Sequence, residues 1–131
     1  MASGVAAAGL ANPWLSVLSN TAFTGITTCY VALAIGEPGA AGTSNPSSVT
    51  TRVAVTWGAV AAGSIAAVST FPAWTNWAGT NNEVVTNIAV WNALTTGTFL
   101  FSVLLTASKT VSTGDSLTLS TLSLALTPIA A

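Results

Sequence analysis

The chain has 131 residues, enough for one domain; 51% are hydrophobic and only 4% charged (Glu37, Arg52, Glu83, Lys109 and Asp115), against about 25% charged in ordinary soluble domains. One Arg and one Lys cannot neutralise a phosphate track, which excludes nucleic acid as a partner, and the lack of histidine removes the commonest general base and metal ligand. Ser, Thr, Asn and Gly interrupt every apolar run before the ~18 residues a membrane helix needs, and about eight barrel strands hardly fit this length, so no membrane is expected as a partner.

Residues 1–11 are Ala/Gly-rich without amphipathic pattern and are expected to form an N-terminal arm that orders on a neighbouring subunit. Asn12-Pro13-Trp14 is a helix start, with Asn as N-cap and Pro at the first helical position. Trp14, Leu15 and Leu18 make a short apolar face, so one or two helical turns are expected before Gly25. Thr27–Ile35 and Arg52–Trp57 are the clearest strands, rich in side chains that suit a pleated, half-buried surface. Between them, Glu37-Pro38-Gly39 and Asn45-Pro46-Ser47 are turn chemistry. Ser64–Thr70 is a weaker strand, and residues 71–83 form a loop rich in Trp, Asn and Gly.

Val84–Trp91 is apolar on both faces, with Ile88 and Val90 opposed to Val85, Ala89 and Trp91. Thr98–Thr106 repeats this pattern: Phe99, Phe101, Val103 and Leu105 oppose Leu100 and Leu104. Two apolar faces predict burial on both sides, inside a sandwich or against another subunit. In the last strands, Leu117 and Leu119 fall out of phase with Leu122, Leu124 and Leu126, and a bulge or bend near Ser120–Thr121 would bring them together. Pro128 ends the pattern. The fold expected is an all-β, single-domain β-sandwich over residues 12–131, jelly-roll-like, with one short N-terminal helix.

Nothing in the pattern points to catalysis, a cofactor or a bound metal. The three carboxylates lie far apart in sequence, Lys109 lacks the Ser-x-x-Lys spacing, and no phosphate-binding or calcium-binding loop is present. Cys29 is a strand residue expected to act as a small buried hydrophobe. The candidate recognition segment is the loop holding Trp74, Asn76, Trp77, Asn81 and Asn82, because aromatic faces beside amides can stack on and hydrogen-bond a sugar ring. The competing reading places these indoles at the end of the sandwich or in a subunit interface, and so apolar a chain favours the interface. Arg52, opening its strand, is expected to pair with a carboxylate or carbonyl at a subunit boundary. With a net charge of −1, the chain has little protection against association, and its composition is that of an assembly subunit.

The strings TCYVAL, EPGAAGTSN, RVAVTWGA, WNALTTGTFLFS and LTASKTVSTGDSLTL, together with the helical PWLSVLSNTAFTG, are similar to a family of small bacteriophage virion proteins. Members are described as tail-fibre-like or minor capsid decoration proteins. The resemblance covers most of the chain after residue 12. This sequence departs from the family at Ala34, where a His usually follows V-A-L, at Trp91-Asn92 and at Glu37-Pro38-Gly39. The resemblance implies a virion component, β-sandwich in fold and commonly trimeric. Two functions follow as expectations. The first is a capsid decoration (cement) protein that binds the major capsid protein between capsomers on the capsid exterior and stabilises the shell. The second is a tail-fibre or receptor-binding module that recognises a host surface glycan.

Overall fold

Side chains suited to a pleated surface form the sheet where the sequence places them. The computed structural model describes residues 3–69 and 71–126. A π-turn (Ala7–Ala11), α1 (Asn12–Ser16) and a 3₁₀ turn (Val17–Ser19) precede eight strands. These are β1 (Cys29–Ala34), β2 (Val53–Val55), β3 (Ser64–Ala66), β4 (Ala73–Trp74), β5 (Glu83–Trp91), β6 (Phe99–Val111), β7 (Leu117–Thr118) and β8 (Ser123–Ala125). The chain is therefore an all-β domain with one short N-terminal helix. Pro13 sits at the start of α1 as expected, but Asn12 is not its N-cap. The π-turn runs straight into α1, so Asn12 is itself helical and makes no side-chain cap. Asn20, in the left-handed region, ends the helical segment.

One antiparallel sheet of four strands, ordered β2-β1-β5-β6, is the backbone of the domain. Over its inner face lie two short antiparallel ladders, β3 with β8 and β4 with β7. The strand pairing is thus four plus two plus two, rather than the two four-stranded sheets of a jelly roll. Val31, Leu33, Val85, Ile88, Val90 and Phe101 from the sheet meet Ala67, Trp74, Trp77 and Leu122 from the covering layer in one core.

Two irregularities between β5 and β6 set which side chains reach that core. Val85 pairs with Lys109, but Asn87 pairs with Leu104, so four residues of β6 stand opposite Thr86 alone. The shift brings Val85 onto the face of Ile88 and Val90, whereas strict alternation would have opposed them. Next, Val90 pairs with Phe101 and Trp91 with Phe99, leaving Leu100 as the extra residue. Leu100 and Phe101 consequently both join the inner core, and Phe99 turns outward against Trp91, ring centroids 5.5 Å apart. The leucine phase change near the C-terminus has a similar resolution. The chain leaves one ladder after Thr118 and enters the other at Ser123, so that Leu117, Leu119, Leu122 and Leu124 all contact the core. Pro128 and the last residue of the Ser64–Thr70 strand lie outside the described residues.

The β6 side of the sheet's outer face is covered by the chain's own N-terminal segment. Val5 bridges Phe101, the Ala6 N–H donates to Leu100 O at 2.7 Å, and the Ser102 N–H donates to Gly4 O at 2.9 Å. Ala6 packs with Ala32, Ala89, Trp91 and Phe99, and Leu10 reaches the main core. Residues 3–11, expected to order only on a neighbour, are ordered in this chain on the free edge of β6. The physical reason is that β6 offers unpaired backbone groups there, and alanine and glycine side chains are small enough to lie close against it. Gly9 shows how close: a Cβ at that position would overlap the carbonyl oxygen of Phe99.

Candidate functional site

The Trp/Asn loop is built inward. Trp74 is only 5% exposed and donates its indole N–H to Thr51 O at 2.8 Å; Trp77 is 2% exposed and donates to Thr80 O at 3.1 Å. Both rings belong to the inner core, so neither presents a face for a sugar or for a second subunit. This corrects the reading of Trp74 and Trp77 as recognition or interface residues. The cause is that two short ladders cannot close the inner face with aliphatic side chains alone, and the two indoles fill the remaining volume. Asn76 and Asn82 take left-handed backbone conformations, φ 52° and 57°, which Asn tolerates better than most residues. Asn81 Oδ1 accepts the Thr113 N–H at 3.2 Å and Asn82 Oδ1 accepts the Ser112 hydroxyl at 2.9 Å. These two amides tie the loop to the Ser112–Asp115 turn, and the Trp77 backbone adds bonds to Asp115 and Gly114. Asn76 is exposed at the loop surface.

Arg52 lies on the opposite side of the sheet from these rings. Its guanidinium stacks over Trp91, 3.9 Å from the ring centroid, and Nη1 donates to Ala93 O at 2.9 Å and Thr96 O at 2.6 Å. Partial burial lowers its pKa from the ordinary value. Arg52 does pair with carbonyls, as expected, but they belong to its own chain: it clamps the turn between β5 and β6. The structure thus separates Arg52 from Trp74 and Trp77 and brings it together with Trp91.

The carboxylates are used singly. Glu83 is buried and accepts the hydroxyl of Ser47 and the Ser48 N–H, the latter at 3.2 and 3.1 Å to its two oxygens. Burial pushes its pKa up, and the donors from Ser47 and Ser48 outweigh that, leaving it below the usual carboxylate value. Asp115 Oδ2 accepts the Ser112 N–H at 2.9 Å within its turn. Glu37 accepts hydroxyls from Ser3 at 2.7 Å and Ser102 at 3.0 Å, beside the Asn87 amide. This last network pins the N-terminal segment to the outer face of the sheet, and sequence reasoning missed it. Its signal was available in Asn87, polar at the head of the apolar run Ile88–Trp91, and in Ser102, the one polar residue between Phe99 and Leu105. Among the described residues no three His, Cys, Asp or Glu side chains converge on a metal position. Cys29 is buried; desolvation raises its pKa, partly offset by a hydrogen bond with Trp57.

Large apolar side chains stand exposed at several places, Val60, Leu94, Leu104 and Leu126 among them. On the N-terminal helical segment, Leu15, Val17 and Leu18 are 62%, 56% and 87% exposed, and Phe23 follows them partly exposed. No helix among the described residues is long and apolar enough to cross a membrane. No curated protein matches the chain. Residues 6–127, nearly the whole domain, match the family described as Podophage GP4 fiber I protein gp80; the chain belongs to this family and is a bacteriophage structural protein.

Proposed function

We propose that the chain is a non-catalytic subunit of a virion fibre, joined to other subunits by apolar contact. The observation that carries this reading is the exposed strip of Leu15, Val17 and Leu18 on a domain with five charged residues. Such a strip is left uncovered by the chain's own core, and burying it removes apolar surface from water at about 25 cal/mol per Å². The family's description as a fiber protein supports the fibre location. A homotrimer is the assembly we propose, with the strip at the threefold contact. Labelling virions with an antibody against this chain and imaging them tests the reading. Label on fibres, at tens of copies or fewer, is expected; label spread over the shell is not.

Capsid decoration is the second reading. It is favoured by one feature: with only five charged residues, the chain suits a lattice contact made by apolar groups and Ser/Thr hydrogen bonds rather than by ion pairs. On that reading the same apolar strip seats the protein on the major capsid protein between capsomers.

A further inference from the structure

We propose that the cavity beside Arg52 binds one acidic monosaccharide unit, a sugar ring bearing a carboxylate. The proposal rests on the fibre reading for its biological setting, since a fibre meets the host surface; the site itself is argued from geometry.

The cavity, about 210 Å³, lies over the outer face of the sheet. Its lining includes Ala32 below, Trp91 and Arg52 on one side, and Thr43, Ser44 and Thr50 around the rim. Pockets for drug-sized ligands run to ~300–1,000 Å³, so this one takes a single ring. The small side chain of Ala32 is what leaves the space open. The rim is held in place by backbone bonds: Pro46 bridges Ala34, Ile35 N–H donates to Asn45 O at 2.9 Å, and Ser47 N–H donates to Leu33 O at 3.1 Å. Gly42, at φ +72°, brings the rim against Phe99.

The guanidinium is also pre-positioned. Both of its bonds leave from Nη1, and Trp91 supports its plane. Nε and Nη2 make no hydrogen bond to the described residues, and Arg52 lines the cavity, so these two donors are free to meet a ligand seated there. A carboxylate takes two parallel N–H bonds from such a fork, and the rotational freedom of Arg52 has already been spent on folding. None of the hydroxyls of Thr43, Ser44 and Thr50 hydrogen-bonds within the described chain, and all three residues are exposed. An aspartate or glutamate side chain from a protein would use the fork and leave these hydroxyls unmatched. A uronic acid supplies ring hydroxyls for them as well, which is why the sugar is favoured over a peptide.

The test is a titration of the isotope-labelled protein followed by amide NMR shifts, using glucuronate, glucose and an N-acetylated, amidated aspartate as probes. The expected result is saturable, on the order of millimolar binding of glucuronate, with shifts grouped at Ala32, Thr43, Thr50 and Trp91. Glucose and the aspartate derivative should bind at least about tenfold more weakly, since each lacks one half of the match. Arg52→Lys should weaken glucuronate binding at least about tenfold by removing the fork while keeping the charge. Thr50→Val removes one rim hydroxyl at an exposed position without touching the Arg52–Trp91 stack, so it should weaken glucuronate binding and leave the melting temperature near its original value. No saturable shift with glucuronate, equal binding of glucose, or aspartate binding as tight as glucuronate would each overturn the proposal, the last in favour of a protein carboxylate. Because the isolated domain is titrated, failure here leaves the fibre location untouched, and a shell location in virions would not by itself remove the binding.

Discussion

Replacing Trp77 with alanine separates a core indole from a recognition platform. The residue is 2% exposed; its backbone bonds of 2.8 Å and 3.0 Å to the Ser112–Asp115 turn remain available to alanine, so the substitution removes the ring alone. Truncating a buried Trp to Ala costs about 3–5 kcal/mol through lost transfer energy and an unfilled cavity. The indole N–H bond to Thr80 adds little to that sum, because its acceptor is near the surface and regains water. Against a total stability of about 5–15 kcal/mol, such a loss is a large fraction, and for a domain of this size it lowers the melting temperature by roughly 10–20 °C. Urea unfolding followed by circular dichroism reads it directly as a drop in midpoint at nearly constant slope. Trp77→Phe should cost less, because most of the ring volume is kept. A Trp77→Ala loss below about 1 kcal/mol, with virion assembly or host recognition abolished, would refute the argument that this ring belongs to the core.

Glu83 gives the domain a pH dependence. Its folded pKa lies below the ordinary value of 4.5, so its contribution is fully present above that value and is lost as pH falls through the folded pKa. Melting temperature measured between about pH 5 and pH 3 should fall in the native protein and change less steeply in Glu83→Gln. Arg52→Ala removes two charge-assisted bonds and the contact with Trp91, and should cost roughly 1–3 kcal/mol, with amide exchange accelerated in residues 92–97. Gly9→Ala drives a Cβ into the Phe99 carbonyl, so it should detach the N-terminal segment and expose the edge of β6, seen as lost amide protection at Ala6 and Ser102. Deleting residues 1–11 should likewise lower the melting temperature, because Ala6 and Leu10 are buried; an unchanged value would mean that the segment contributes nothing to the domain.

Much of the sheet was legible because the strong strands are locally consistent. In β1, the apolar residues Cys29, Val31 and Leu33 alternate onto one face, and the structure buries that face. What the sequence could not reveal lies in the pairing between strands. The reassignment of Val85 and Phe99 to opposite faces depends on where β6 slips against β5, and that is a property of two strands together. The same holds for the covering layer. Trp74 and Trp77 read as platform, plug or interface, with the interface favoured, until the two short ladders show how much volume they leave unfilled. Residues 3–11 carry no periodicity, since they are held by backbone bonds to an edge and by their small size, neither of which leaves a hydrophobic pattern. Arg52 was visible as an unusual charge in an apolar chain, but its partners are 41 and 44 residues away and are carbonyls, which no sequence marks.

The central claim is that this chain is a fibre subunit assembled through apolar contact. A phage deleted for the chain, compared with its parent for adsorption to host cells and for genome retention on heating, tests it most directly. The account predicts that adsorption is lost while heat stability is kept. Normal adsorption with early loss of genome would contradict it and establish the chain as shell cement.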